Sequence, residues 1–214
     1  MGGNVVNKVK KAAAYHIQEN ISVYTFTVIL FFIGIIFGAI IVNSLSVDQK
    51  QDLYLYLSRF FGQVAEGHFA YTVDMFNQSF THYIKYLGLM WLLGLSIIGL
   101  PIILIMLFLK GIVIGFTVGF LVNQMGWQGF VLSFVSVLPQ NLLLVPAFII
   151  IGTASIVFSL RMIRQQFRKT EPILPYFVRY TLLMVFTAIF LTISSSFEAY
   201  LSPALMKSIV QWIY

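Results

Sequence analysis

Cysteine is absent from this chain. Disulfides, thiolate metal sites and a Cys nucleophile are therefore excluded, though the absence fits any compartment. Charge is almost as scarce. Asp, Glu, Lys and Arg make up 9% of the 214 residues, against about 25% in an ordinary soluble domain. So few charges cannot clothe a domain of this size in water, which rules out a cytosolic enzyme, a soluble nucleic-acid binder and a disordered regulator. Histidine is limited to His16, His68 and His82, all outside the long apolar runs. The sequence has no His-Glu-x-x-His, no Gly-x-Ser-x-Gly and no Walker loop, and an intramembrane serine protease would lack its buried base. No catalytic residue, metal site or cofactor is expected. An RNA-binding fingerprint, zinc spacing and helix-turn-helix polarity are also missing, so no nucleic-acid partner is expected.

What the chain does have is apolar surface: 59% hydrophobic and 16% aromatic residues, with a mean hydropathy of +0.91. The first strong run, 21–42, carries no charge. At ~1.5 Å per residue it crosses a ~30 Å hydrocarbon core. It follows Lys8, Lys10 and Lys11 and ends on the poor cleavage site Asn43-Ser44-Leu45, so it reads as an uncleaved signal-anchor. Val6 stands where a myristoylation motif needs Ser or Thr, so no lipid anchor is expected. Residues 43–85 are mixed. A long apolar stretch then runs from Tyr86 to Leu160, broken only by Lys110. Residues 161–179 are basic, and another apolar run starts at Tyr180.

The expected fold is all-α: a polytopic membrane bundle of about five transmembrane helices. The spans are 21–42, 86–109 descending to Lys110, two more within a broken helical hairpin over 110–160, and 180–200. The hairpin turns at Asn123 to Gly129. Its first arm, Gly111 to Val122, is short, so a three-span arrangement with a re-entrant hairpin stands as the alternative. Basic residues set the orientation. Lys8, Lys10, Lys11, Lys110, Arg161, Arg164, Arg168, Lys169 and Arg179 would lie inside, against Lys50, Arg59, Lys85 and Lys207 outside. The N-terminus (1–20) and the 161–179 loop are thus expected in the cytoplasm, with the 43–85 loop and the 201–214 tail outside.

In the outer loop, Ser46-Val47-Asp48-Gln49 reads as a capping box. It precedes an apolar stripe that includes Leu53, Leu57 and Phe60. A second amphipathic helix starts at Thr72. These helices either cover the outer end of the bundle or form a docking surface. If they dock a partner, Leu53, Leu57 and Phe60 are the expected patch. Ser202-Pro203 opens a last short interfacial helix.

Two glycine ladders lie in the runs: Gly34 with Gly38, and Gly111, Gly115 and Gly119. Small residues every fourth position let helices approach closely in lipid. They serve packing within the chain, or oligomerisation, or contact with a partner's span; a homo-oligomer stays open. Pro139, Gln140 and Asn141 interrupt an apolar run. They read as a kink whose amides satisfy freed carbonyls, or as a discontinuous helix lining a transport path. Pro101 offers a second break. Glu198 is an interfacial acid or an ion site.

Several stretches, taken together and in order, closely resemble the stage II sporulation protein M family. They are GIIFGAIIVNS (34–44), DLYLYLSRFFGQV (52–64), LGLMWLLGLSIIGLPIILI (87–105), KGIVIGFTVGFLVNQMGW (110–127), SFVSVLPQNLLLVPAF (133–148), GTASIVFSLR (152–161) and SSSFEAYLSP (194–203). The resemblance covers most of 22–203. It implies a multi-pass protein of the sporulation septum that scaffolds an engulfment complex. That scaffold would bring in the amidase/endopeptidase stage II sporulation protein P. Through it would come the lytic transglycosylase stage II sporulation protein D, and together they would thin septal peptidoglycan. It supplies no binding residues. Two other readings stand beside it: a small transporter using Pro139, Gln140 and Asn141, and a protein that organises the lipid bilayer.

Overall fold

The computed structural model describes residues 17–65, 72–167 and 173–213, and they are helical almost throughout, with no strand among them. The elements are α1 (Ile21–Ser44), α2 (Val47–Ala65), α3 (Thr72–Gly94), α4 (Gly99–Phe167), α5 (Leu174–Ser196), a π-turn (Phe197–Leu201) and α6 (Ser202–Ile213). Among the described residues, three helical stretches are long and apolar enough to cross a membrane: Ile21–Ser44, Gly99–Gln165 and Leu174–Ile209. The basic residues Lys8, Lys10, Lys11, Arg168 and Lys169, and His16 and His68, lie outside the described residues.

α4 is two limbs rather than one rod. Gly126 adopts φ 56 and ψ −128, a backbone conformation that a side chain would strain. There the chain doubles back, so Gly129 packs against Leu121 and Gly152 lies beside the Leu107 side chain. This reversal falls inside the turn expected at 123–129. The limbs are 99–125 and 127–167, each longer than the ~30 Å core at ~1.5 Å per residue.

Several expected boundaries need correction. The segment 86–109 is not one helix. α3 runs unbroken from Thr72 to Gly94, across the expected border at 85/86, and the chain turns over 95–98 before restarting at Gly99. Pro101 explains the position of the break. In the first turn of a helix its missing N–H costs nothing, whereas inside a helix it would clash with the preceding turn. Lys110 consequently sits in the middle of the 99–125 limb rather than at its end. The short arm that argued for a re-entrant hairpin disappears. At the other end, α5 starts at Leu174 and passes through the π-turn into α6 without a break at 200. Of the two readings of 139–141, a kink or a discontinuous helix, the second is not seen. Gly126 is the only residue of α4 with non-helical dihedrals, and the helix continues through Pro139 and Pro146. Neighbouring helices make that tolerable in lipid; α5 packs alongside, where Ser194 donates to the Gln140 carbonyl at 3.0 Å.

The long segments pack lengthwise and alternate in direction. Tyr86 of α3 donates to the Met106 carbonyl at 2.7 Å. Tyr180 donates to the Trp91 carbonyl at 2.8 Å, while Tyr83 donates to Glu198 at 2.8 Å further along. These pairings make α3 antiparallel to both the 99–125 limb and α5. The molecule thus has a basic end and an α2 end. The basic end holds the 95–98 turn and Arg161, which pairs with Glu19 at 3.3 Å and lies 4.4 Å from the Tyr176 ring centroid. The α2 end holds α2, Gly126, the π-turn and α6.

The centre is the 151–159 stretch of α4, buried at every position. Burial all round demands small and self-satisfying side chains, and the sequence there supplies Gly152, Thr153, Ala154, Ser155 and Ser159. Thr153 shares a 2.9 Å hydrogen bond with Thr27 of α1. Because Tyr180 gives its proton to Trp91, Ser155 donates to Tyr180 across their 2.7 Å contact. Ser159 donates to the Ser96 carbonyl at 3.1 Å, tying the 95–98 turn to the core. Such interhelical bonds are each worth ~0.6 kcal/mol on average in a membrane.

Candidate functional site

Glycine decides the packing of α1. Its buried face is Tyr24, Thr27, Phe31, Gly34, Gly38 and Val42, while Phe26, Ile29, Phe32, Ile33, Ile36 and Phe37 point outward. The bulky face suits lipid and the small face suits another backbone. Gly34 packs against Phe108 and Gly111, whose Cα lies 3.2 Å from where a Gly34 Cβ would stand. Gly38 packs against Ile112 and Phe116, Gly115 against Ile35, and Gly119 against Ala39. The residue pairs advance together, so α1 and the 99–125 limb run parallel. Both glycine ladders meet each other within one chain.

The α2 end is built differently. Ser46 and Gln49 cap α2 reciprocally, Ser46 N–H to Gln49 Oε1 at 2.9 Å and Gln49 N–H to Ser46 Oγ at 3.3 Å. The capping box fixes where α2 starts, and Asp48 in its first turn suits the positive helix end. α2 then lays Phe61 and Val64 on Leu121, Leu132 and Met206, a small core separate from the main one. Beside that core lies a cavity of about 390 Å³. Its apolar walls include Leu57, Phe60, Phe61, Val64, Leu121 and Met206, and its polar lining includes Thr117, Ser136, Gln140 and Glu198. α2, α3, both limbs of α4, the π-turn and α6 all contribute.

Of the expected patch, Leu57 and Phe60 line this cavity, whereas Leu53 is half-buried one turn earlier and does not. Of the expected polar group, Gln140 and Glu198 line it, and Pro139 and Asn141 do not. The Asn141 amide donates to the Val137 carbonyl at 2.7 Å. Val137 is not a carbonyl that a proline frees, since Pro139 and Pro146 release those of Val135 and Leu142. Asn141 Oδ1 is buried with no partner among the described residues.

Glu198 is anchored from one side. Tyr83 donates to its Oε2. Lys110 lies 5.6 Å from the Tyr83 ring centroid and 5.4 Å from that of Phe148. Charged groups at this depth need partners, and Tyr83 serves both, its hydroxyl meeting Glu198 and its ring meeting Lys110, which links three segments. Sequence reasoning missed Lys110 in this role. The available signal was a lone cation in a long apolar run, matched by a lone acid near the far end of another. The polar hub of Thr27, Thr153, Ser155, Ser159 and Tyr180 was also missed, although a Gly-Thr-Ala-Ser run within apolar sequence points to a crowded centre. Among the described residues, no three His, Cys, Asp or Glu side chains gather to hold a metal.

The family described as stage II sporulation protein M matches residues 27–203.

This chain belongs to the stage II sporulation protein M family.

The match runs from Thr27, at the core hydrogen bond with Thr153, to Pro203, at the cavity wall. It makes the chain a sporulation-related membrane protein, in a family not known for enzymes. Comparison with curated proteins and with solved structures gives no match.

Proposed function

We propose that this protein is the membrane scaffold of the sporulation engulfment complex. In this reading it holds stage II sporulation protein P at the septum and, through it, stage II sporulation protein D, where their joint action thins septal peptidoglycan. It performs no chemistry itself. Membership of the stage II sporulation protein M family over residues 27–203 carries the reading. Tethering a hydrolase beside its wall substrate raises its effective concentration without any catalysis by the scaffold.

The proposed topology has five crossings: α1, α3, the limbs 99–125 and 127–167, and α5. The alternating directions of these segments support it, and so does the gathering of Arg161, Arg164 and Arg179 at the end opposite α2. The basic end faces the cytoplasm, and α2, the Gly126 turn and α6 face outward, where the hydrolases work. Because the chain has no cysteine, single cysteines report sidedness cleanly. Phe60→Cys is expected to label from outside and Arg164→Cys only after the membrane is opened. Labelling of both from one side removes the topology.

The proposed partner surface is α2, with Leu53, Leu57 and Phe60 flanked by the exposed Tyr54 and Tyr56. Leu57→Asp puts a charge into an apolar contact. Pull-down from sporulating cells is expected to lose stage II sporulation protein P by tenfold or so, with membrane levels of the variant unchanged. Undiminished capture would remove α2 as the docking face.

A further inference from the structure

The cavity at the α2 end is sorted by depth. On its outer side α2 lays Phe61 and Val64 against Leu121 and Leu132. Thr117 lies one turn further from Gly126 than Leu121 does, and Ser136 and Gln140 lie one and two turns further than Leu132. Glu198 joins this level, because Ser194, one turn before it, holds the Gln140 carbonyl. The cavity thus has an apolar mouth, with Leu57, Phe60, Val64 and Met206, and a polar floor. On the proposed topology the mouth faces outward and the floor faces the bundle.

The floor is rich in acceptors and poor in donors. Thr117 gives its proton to the Val113 carbonyl at 2.8 Å, and Ser136 gives its own to the Leu132 carbonyl at 2.8 Å. Both hydroxyls are left with lone pairs only. Glu198 accepts one bond, from Tyr83 to Oε2, and Oε1 accepts none among the described residues. Gln140 adds an amide oxygen. Among the described residues, no Lys, Arg or His lines the cavity. Lys110 meets the Tyr83 ring instead. Water fills such a floor when nothing else does. A single positive charge rich in N–H donors displaces it with a gain, since charge-assisted hydrogen bonds are the stronger ones. One carboxylate balances one positive charge, and a divalent ion would want more oxygen ligands of that kind.

The mouth says how that charge arrives. Phe60 both lines the cavity and is exposed, and Tyr56, one turn earlier on α2, is exposed too. The apolar surface therefore continues from the mouth onto the outer face. An occupant that covers both is larger than the cavity's volume of about 390 Å³. A lysine or arginine side chain carried on a polypeptide has this form, an apolar stem behind a cationic head.

We propose that the cavity receives one lysine or arginine side chain of a protein partner docked on α2. The methylenes lie against Leu57, Phe61 and Met206, and the head meets Glu198 and Gln140. Glu198 then selects the partner, since an apolar or acidic residue at that point leaves its carboxylate unpaired beneath the interface. This inference rests on α2 as the partner surface and deepens that reading by naming the partner's anchor.

The test replaces Phe60 of the full chain with the photo-crosslinker benzoylphenylalanine in sporulating cells and sequences the crosslinked peptide. One polypeptide is expected, joined close to a lysine or arginine. Glu198→Gln keeps the shape and removes the charge, and is expected to lower the crosslink about tenfold at unchanged membrane level. Replacing the partner's basic residue with Met leaves this chain untouched. It is expected to have the same effect, with no further loss when combined with Glu198→Gln. That non-additivity separates a direct pair from a loosened fold. A full crosslink in Glu198→Gln, additive losses, or a peptide without a basic residue would overturn the proposal. So would a crosslink to lipid, to a second copy of this chain, or to nothing. The scaffold role is read separately. Stage II sporulation protein P lost in Leu57→Asp but captured undiminished by Glu198→Gln removes the anchor and keeps the scaffold. A basic peptide from another protein keeps the anchor and removes that partner.

Discussion

The glycine seam and the α2 end solve the same problem in opposite ways. Along α1 and the 99–125 limb, side chains are removed until backbones touch, and nothing else fits between them. At the α2 end, Leu57, Phe60, Phe61, Val64 and Met206 hold the elements apart, and a cavity with a carboxylate in its lining remains. The contrast teaches where rigidity and recognition lie. Lipid offers helices no hydrophobic reward for meeting, so close contact must come from small residues. On the proposed topology α2 lies outside the hydrocarbon, where an element can pack in the usual way, with bulky apolar side chains, and can leave space between them.

The largest effect expected from breaking this contrast is at Gly38. A Cβ there would overlap the Ile112 backbone, and neither helix can yield without moving the whole seam. Gly38→Leu is expected to destabilise by ~3 kcal/mol or more, read as a fall in thermal midpoint in detergent or as loss of the folded protein. A midpoint that stays put would mean the seam is looser than its geometry. Gly62 gives the opposite sign. It lies in α2, and nothing comes within 4 Å of the place a Cβ would take, so Gly62→Ala is expected to stabilise by ~0.5–1 kcal/mol through helix propensity alone. The same melting experiment reads it. Destabilisation there would show that another surface approaches α2 at Gly62 in the membrane.

Much of the fold was legible because lipid simplifies the code. The uncharged run at 21–42 has one reading at that length, and α1 spans Ile21–Ser44. The capping box at Ser46 and the Pro at 203 mark helix starts through local chemistry, and α2 and α6 begin there. The run from Tyr86 to Leu160 was harder, because apolar composition does not say where a chain turns. Lys110 looked like a turn because charge usually marks the water boundary. It instead lies inside, against the rings of Tyr83 and Phe148, far away in sequence. Pro101 held the correct local signal for the break at 95–98, and the lone charge beside it in the run outweighed it. Pro139 misled in the reverse direction, since a helix packed on its neighbours carries a proline without breaking.

The amino-acid sequence by itself determined the solvent, the helical class, the family and the local starts and stops. Those follow from composition, length and residues within a turn or two of one another. Only the tertiary structure decided that the two glycine ladders face each other, that 151–159 is the centre, and that Leu57, Phe60, Gln140 and Glu198 share one cavity. These are relations between residues up to about 140 positions apart, and no local preference encodes them. They emerge when helices that are each stable alone must satisfy one another's small faces and stray polar groups in a medium that satisfies neither.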